Sequence, residues 1–433
     1  MSMGDSTSAG SSVVPSLNPE TPKSKTFSMR LALLGIDDQL LALAAAAMRS
    51  EKDQIVMIDA LAHRAVEAAA ISPRAQLTDD WNVMLDSQIV DAVLVASDEP
   101  AKRIDQLRPL IQTRMPVLVS HPVSLSMLDC FELEMIREET KCVVLAYTPA
   151  RWHPASAEMG TILDGGQSSP IAAVEQITFE RFLQRRERDN VLGQFARDAD
   201  LIQFIAGPAT KLHAMGSAAA DRPNRYANVA VQTTCSDGLV CRWTVAPVET
   251  VAGGKLTIVG SRGKVILWMP DDNDPWRLEL RTVAGSSAQE YPQWNAGEAA
   301  LEMLSLAVAN NEIDSNWNDA AQTVELADAI DRSMAKGRTI DLHHEEFSDV
   351  GTFKGTMASA GCGLLVVGLI LVVVVALIHT LAAQAGWNRV ARMLDGWPYL
   401  VLVVFGIFLL LQLLVFVGKG ADRNDAGLES DDS

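Results

Sequence analysis

The sequence predicts an α/β chain in three parts: a doubly wound parallel sheet, an α+β domain with a mostly antiparallel sheet, and two transmembrane helices. Three observations carry this reading. Between Met29 and Tyr147 short apolar runs alternate with helix-length segments, the pattern of a parallel sheet wound by crossovers. From Ala172 onward β-rich runs are separated by glycine turns. After Gly361 come two apolar stretches, each long enough to cross a bilayer.

Residues 1–26 form the lead. They are rich in Ser, Thr, Pro and Gly, carry no apolar stretch of the secretory type, and are expected to be disordered. Order is expected from about Phe27. Met29–Asp38 (MRLALLGIDD) then gives an apolar strand, a glycine turn and the start of an Ala/Leu-rich helix, which is how a nucleotide-binding βαβ unit begins. Only Gly35 is kept in the turn, and Asp37 and Asp38 stand where bare backbone would approach a diphosphate. Either aspartate makes a good helix cap, and as a cap it occupies the N–H groups a phosphate needs. A carboxylate about 5 Å from a phosphate repels it by roughly 3 kcal/mol at an effective dielectric near 20.

Gln54–Ile58 reads as the second strand, closed by Asp59, which lies at the distance from Gly35 where such folds bind a ribose hydroxyl. An acid ending a strand also caps helices, so both roles stay open for it. Ile71–Leu77 and the helical DDWNVMLD lead to Val90–Ala96 (VDAVLVA), an apolar run suited to a strand buried on both faces. A helix to about Arg114, a strand and turn over 115–122, a helix over Val123–Thr140 and a strand over Lys141–Tyr147 complete the alternation.

In the second part the strands are expected at Ala172–Leu183, Tyr226–Cys235, Leu239–Val245, Lys255–Val259 and Lys264–Met269, with turns at Asp237-Gly238, Gly253-Gly254 and Arg262-Gly263. Asn295–Asn310 and Trp317–Lys336 have helical periodicity, the latter ending on a cation followed by Gly337.

The set VDAVLVAS…MPVLVSHPVS…VVLAYTPARWHP, with LTIVGSRGKVIL (256–267) and AAQTVELADAIDRSMAKGRTIDL (320–342), resembles the Gfo/Idh/MocA (glucose-fructose oxidoreductase / inositol dehydrogenase-like) oxidoreductase family over roughly residues 28–342. Tyr147, Arg151 and Pro154 match its "Y…R…P" segment. The resemblance implies a Rossmann-like domain over 27–148, an α+β domain over 149–342, and hydride transfer between a nicotinamide and a sugar or polyol. On that pattern Gly35, Asp59, Ser97 and Pro122 fall on the cofactor side, and Arg151, Arg197 and Asp200 in the substrate cleft. The lysine of the family's Glu-Lys-Pro falls on His121, with Ser120 for the glutamate. Its Asp-x-x-x-His pair falls on Gly193 and Arg197.

Glycine offers no side chain, and arginine does not give up its proton near neutral pH. His121 is the one proton-handling position left, as a neutral imidazole or an ordinary turn histidine. The expectation is therefore a member that has lost hydride transfer and serves ligand binding, scaffolding or regulation, with no cofactor or weakly held NAD. The alternative is an active NAD(P)-dependent enzyme using His121, with Asp59 on the ribose. Arg197 and Asp200 are spaced to pair along a helix, and Arg197 would otherwise hold an anionic ligand. His153 reads as structural, and the run Arg185–Asp189 as a solvated loop.

The net charge of −18 excludes a nucleic-acid partner, which needs a basic face. The five cysteines show no metal spacing and read as free thiols, and His343-His344-Glu345-Glu346 falls in the 343–360 linker, so no metal site is expected.

Residues 361–383 and 398–418 read as membrane spans, joined by a short loop over 384–397 that has Trp387 and Trp397 near the interfaces. They make the lipid bilayer a partner, with the soluble domain and the acidic tail 419–433 both cytoplasmic. The spans' lack of charged residues counts against a pore. Small-molecule binding in the cleft is expected, and self-association is implied by the resemblance.

Overall fold

The computed structural model describes residues 28–342, except 51, 60–63, 65, 68–69, 71, 220–221, 236, 249–250, 272–273 and 311–315, together with residue 377. The linker, both expected spans, their loop and the acidic tail thus lie outside the described residues apart from Leu377. Among the described residues no helix is long and apolar enough to cross a membrane.

The first sheet has six parallel strands: β1 (Arg30–Leu34), β2 (Gln54–Asp59), β3 (Gln76–Leu77), β4 (Ala92–Val95), β5 (Val117–Ser120) and β6 (Val144–Tyr147), in the order β3-β2-β1-β4-β5-β6. Every residue of β4, β5 and β6 is buried, as a strand covered on both faces requires. The covering helices are α1 (Asp38–Ser50), α2 (Pro100–Gln112) and α3 (Met127–Thr140). The last begins later than its apolar pattern, because Ser126 caps it by accepting the N–H of Asp129. The segment DDWNVMLD, read as helical, forms a short 3-10 turn over Trp81–Leu85.

Two short helices, α4 (Pro149–Trp152) and α5 (Pro154–Asp164), lead into a nine-stranded sheet. Its strands are β7 (Val174–Leu183), β8 (Ala209–Ala219), β9 (Arg222–Cys235), β10 (Val240–Pro247), β11 (Gly253–Gly260), β12 (Gly263–Pro270), β13 (Trp276–Thr282), β14 (Gly285–Tyr291) and β15 (Ile340–Asp341). They run in the order β14-β13-β12-β11-β7-β10-β9-β8-β15, antiparallel except where β10 pairs with β7. Long α6 (Arg188–Ala206) and α8 (Trp317–Lys336) pack Phe195, Ala199, Leu326 and Ile330 onto the inner face, against Phe179 and Trp243. Gly253-Gly254, expected as a turn, instead opens β11, with Gly253 at φ +148°.

Helix α7 (Ala296–Asn310) follows the second sheet in the chain but covers the first. Its Ala300, Leu301 and Leu304 join Leu43, Ala44 and Ala47 of α1 in one core. The alanine face of α1 lets it come close: a side chain at Gly297 would begin 2.6 Å from the Ala46 methyl. The thiols of Cys130, Cys142, Cys235 and Cys241 are free and buried.

Candidate functional site

Strand order reverses between β1 and β4, which opens a crevice at their carboxyl ends, the place where open sheets of this kind receive ligands. Gly35, just past β1, adopts φ +80°, a conformation glycine takes without strain, and donates its N–H to Asp59 O at 2.7 Å. Asp37 closes the turn as the cap of α1, its Oδ1 accepting the Leu40 N–H at 2.8 Å. The same carboxylate reaches two other strand ends. Its Oδ2 accepts the N–H and the hydroxyl of Ser97 at 2.7 and 3.0 Å, and its Oδ1 accepts the Ser120 hydroxyl at 3.1 Å. An anion of the protein's own therefore sits at the positive end of α1. Asp38 does not share this role: its side chain is 96% exposed and pairs with Arg64 at 3.2 Å. The expected opposition to a diphosphate thus falls to Asp37 alone.

Behind the turn, Arg103 of α2 is fully buried. Its Nε and Nη2 donate to the two carboxylate oxygens of Asp98 at 2.8 and 3.2 Å, and its Nη1 donates to Gln106 Oε1 at 2.6 Å. Asp59, the expected ribose ligand, lies 3.7 Å from the same guanidinium. Burial pushes Asp59 above the usual carboxylate range, against the pull of Lys102 and Arg103. Gly35 is needed here for a neighbour inside the protein, since a Cβ would begin 2.5 Å from Arg103 Nη2 and 2.6 Å from Asp98 Oδ1. Asp98 in turn accepts the Ile36 N–H at 3.1 Å. The residues that would hold a ribose and a diphosphate are thus bridged to one another through Arg103 and Asp98.

At the end of β5, Gln39 clamps His121, accepting its backbone N–H at 2.9 Å and donating to its carbonyl at 3.0 Å. The His121 ring is 3% exposed and places Nε2 2.9 Å from Thr323 Oγ1 on α8. It lies behind the cleft wall. Burial, with Arg197 nearby, pushes its pKa down to about 3, so the ring is neutral. Pro122 faces Gly193 on α6, where an added Cβ would meet only Pro122 Cγ, at 3.9 Å.

Arg197 and Asp200, spaced to pair, do not. Asp200 is buried and binds Arg151 at 3.1 Å, which also donates to Asp319 at 2.5 Å. Burial pushes Asp200 up to about 6, opposed by Arg151. Arg197 instead donates to Gln194 Oε1 and turns toward the cleft. Arg188, read as part of a solvated loop, starts α6 and pairs with Asp331.

The cleft between the two sheets has a volume of about 1040 Å³. Asp37 and Ser97 line one side, with Arg197, His153, Trp276 and Trp294 opposite. His153 caps α5, its Nδ1 accepting the Ala155 N–H at 3.1 Å. Its ring stacks on Trp276, with centroids 3.9 Å apart and planes 19° off parallel. Burial pushes its pKa down to about 4.

Of the residues expected from sequence, Gly35, Asp37, Asp59 and Ser97 meet at the crevice, and Arg197 joins them across the cleft. His121, Pro122 and Asp200 are buried outside the cleft lining, and half-buried Arg151 pairs with Asp200. Sequence reasoning missed Arg103, Asp98 and the Trp276–Trp294 wall. An arginine four residues after Glu99 on an otherwise amphipathic helix was the available signal for the first of these.

Residues 30–148 match the model of an oxidoreductase family with an NAD-binding Rossmann fold, GFO_IDH_MocA. No curated protein matches the chain. Among solved structures, the chain is similar to a myo-inositol dehydrogenase from Corynebacterium glutamicum, with 18% identity and a TM-score of 0.59 over 73% of this chain and 99% of that one. An oxidoreductase from Agrobacterium radiobacter, solved with NAD+, L-tartaric acid and magnesium, shares 16% identity with a TM-score of 0.61 over 72% and 98%. A 3-ketoreductase from Actinomadura kijaniata, solved with NADP, shares 15% with a TM-score of 0.61 over 71% and 98%. At such identities the likeness is one of fold.

Proposed function

We propose, for a chain whose residues 30–148 belong to the Gfo/Idh/MocA oxidoreductase family, that it is a membrane-anchored member that binds a small molecule in its cleft and does not transfer hydride. The observation that carries this reading is the Asp37 carboxylate, which takes four donors at the place where a diphosphate would lie. Two further features point the same way. Arg103 bridges Asp98 and approaches Asp59 behind the turn, and His121, the one remaining candidate for proton transfer, directs its ring at Thr323. On this reading NAD is at most weakly held, and the protein works by binding, scaffolding or regulation. The apolar stretches 361–383 and 398–418 anchor it in the bilayer, with the folded part and the acidic tail cytoplasmic.

The test is titration of the full-length protein in detergent with NADH and NADPH, followed by energy transfer from tryptophan to the nicotinamide. No saturable signal is expected at micromolar cofactor. Micromolar binding would overturn the reading and favour an active NAD(P)-dependent oxidoreductase. Protease treatment of intact cells or spheroplasts tests the orientation, with protection of the folded part as the expected outcome and its loss from outside as the refuting one.

A further inference from the structure

The cleft is lined by three arginines and five aspartates, yet its charges are unequally matched. Arg181 holds Asp198 and Asp271, the latter at 2.9 Å, and Arg49 lies 3.8 Å from Glu298. Asp198 also accepts from Trp243 Nε1 at 2.8 Å and Gln194 Nε2 at 2.9 Å. Asp37 has its four donors and Asp38 its arginine. Among the described residues Arg197 is the cleft cation with no carboxylate in ion-pair reach. Its Nε and Nη2 donate to Gln194 Oε1 at 3.3 and 2.9 Å, and its Nη1 to the His121 carbonyl at 3.4 Å. A guanidinium carries five N–H donors, so two remain without acceptors among the described residues, on a side chain held in place by neutral groups.

His153, which also lines the cleft, supplies a second, independent feature. His153 is 6% exposed, and its Nδ1 is committed as an acceptor to the Ala155 N–H. In the neutral ring the proton is therefore on Nε2, which has no partner among the described residues on a ring that lines the cleft. Stacking on Trp276 fixes the ring, and Trp294 closes its edge at 5.3 Å between centroids. A fixed N–H donor, an unmatched guanidinium and indole walls together suit a ligand with an anionic end, oxygen acceptors and a C–H face.

We propose that the cleft binds a small hydroxylated carboxylate of the aldonate or uronate class, with its carboxylate on Arg197, an oxygen on His153 Nε2–H and its C–H face against the tryptophans. The proposal rests on the reading of the cleft as a small-molecule site and adds the chemistry of its ligand. It requires no dinucleotide.

Calorimetric titration of the full-length protein in detergent with sodium glucuronate, sodium gluconate and glucose, at matched ionic strength, tests it. A saturable carboxylate at least tenfold tighter than glucose is expected. Arg197→Gln is expected to lose about tenfold or more, since a hydrogen bond to a charged group is removed, and Arg197→Lys to fall between. Glucose binding as tightly as glucuronate overturns the proposal, as does no carboxylate binding, and these wild-type measurements stand even if a variant is poorly folded. Unchanged affinity in a folded Arg197→Gln protein also overturns it. NADH binding at micromolar concentration would defeat the proposed loss of hydride transfer and leave a glucuronate signal that depends on Arg197 intact. Absence of both signals would defeat only the ligand class.

Discussion

The Asp37 carboxylate accepts the backbone N–H of Ser97 at 2.7 Å, across 60 positions of sequence. That bond ties the start of the first helix to the tip of β4 at the point where strand order reverses. A loop tip and a helix N-terminus are ordinarily free to receive a phosphate there, and here they are joined by the protein's own anion.

Replacing Asp37 by Gly is expected to raise affinity for NADH, because it removes a fixed negative charge and frees the N–H groups of Leu40 and Ser97. A gain of tenfold or more, about 1.4 kcal/mol, is within what one close charge contributes. The same variant loses a helix cap, at a cost of about 1 kcal/mol, and should melt earlier. Titration of the variant beside the parent protein decides it, and an unchanged affinity removes the electrostatic argument.

Arg103→Met is expected to destabilise strongly. Burial raises the Asp98 carboxyl, but Arg103 and the Ile36 N–H outweigh it and hold Asp98 below the usual range. Without the guanidinium, Asp98 and Asp59 would remain as enclosed carboxylates lacking their main cation. Breaking such a buried pair costs about 3–5 kcal/mol. Thermal unfolding of the variant should show this at neutral pH, and a change within a degree of the parent would refute it.

His121 makes stability depend on pH. Its folded pKa of about 3 lies below the ordinary 6.5, so the unfolded chain takes up a proton between those values while the folded chain does not. The contribution is full above pH 6.5 and is lost as pH falls toward about 3, by up to about 1.4 kcal/mol per pH unit. Asp200, pushed up to about 6, has the opposite slope between its unfolded pKa and that value. In His121→Asn, the melting-temperature deficit seen at pH 7 should shrink at pH 4.5. A deficit independent of pH would show that His121 titrates normally.

Gly193→Ala is expected to stabilise. The position is mid-helix, and a methyl there makes only an ordinary contact with Pro122 at 3.9 Å. Removing a helix glycine gains roughly 0.5–1 kcal/mol, which in a chain of this size shifts melting upward by about 1–4 °C. A lower melting temperature would mean that the space beside Pro122 is closed in solution.

Much of the architecture was legible because the signals are local. The run VDAVLVA contains β4, the periodicity of Trp317–Lys336 marks α8, and Gly337 adopts φ +59° as a left-handed helix end. Strands β8 and β14 were not legible. The first is rich in small and polar residues, and the second is exposed along nearly all its length, so each is defined by pairing with a neighbour. The Gly253-Gly254 pair misled for the same reason: glycine marks a turn locally, but here it lies in strand pairing on both sides.

The sequence by itself determined the alternation of strands and helices, the single glycine and paired aspartates of the first turn, the histidine before Pro122 and the two apolar stretches at the end. Only tertiary structure decided that Asp37 takes Ser120 from 83 positions away, that Arg103 lies under Gly35, and that Arg197 finds no acid in ion-pair reach among the described residues while Asp200 goes to Arg151. Periodicity and turn preference act over a few residues and can be read along the chain. A charge finds its partner only when distant strand ends are brought to one edge of a sheet, and no short-range rule records which of several acids will be nearest.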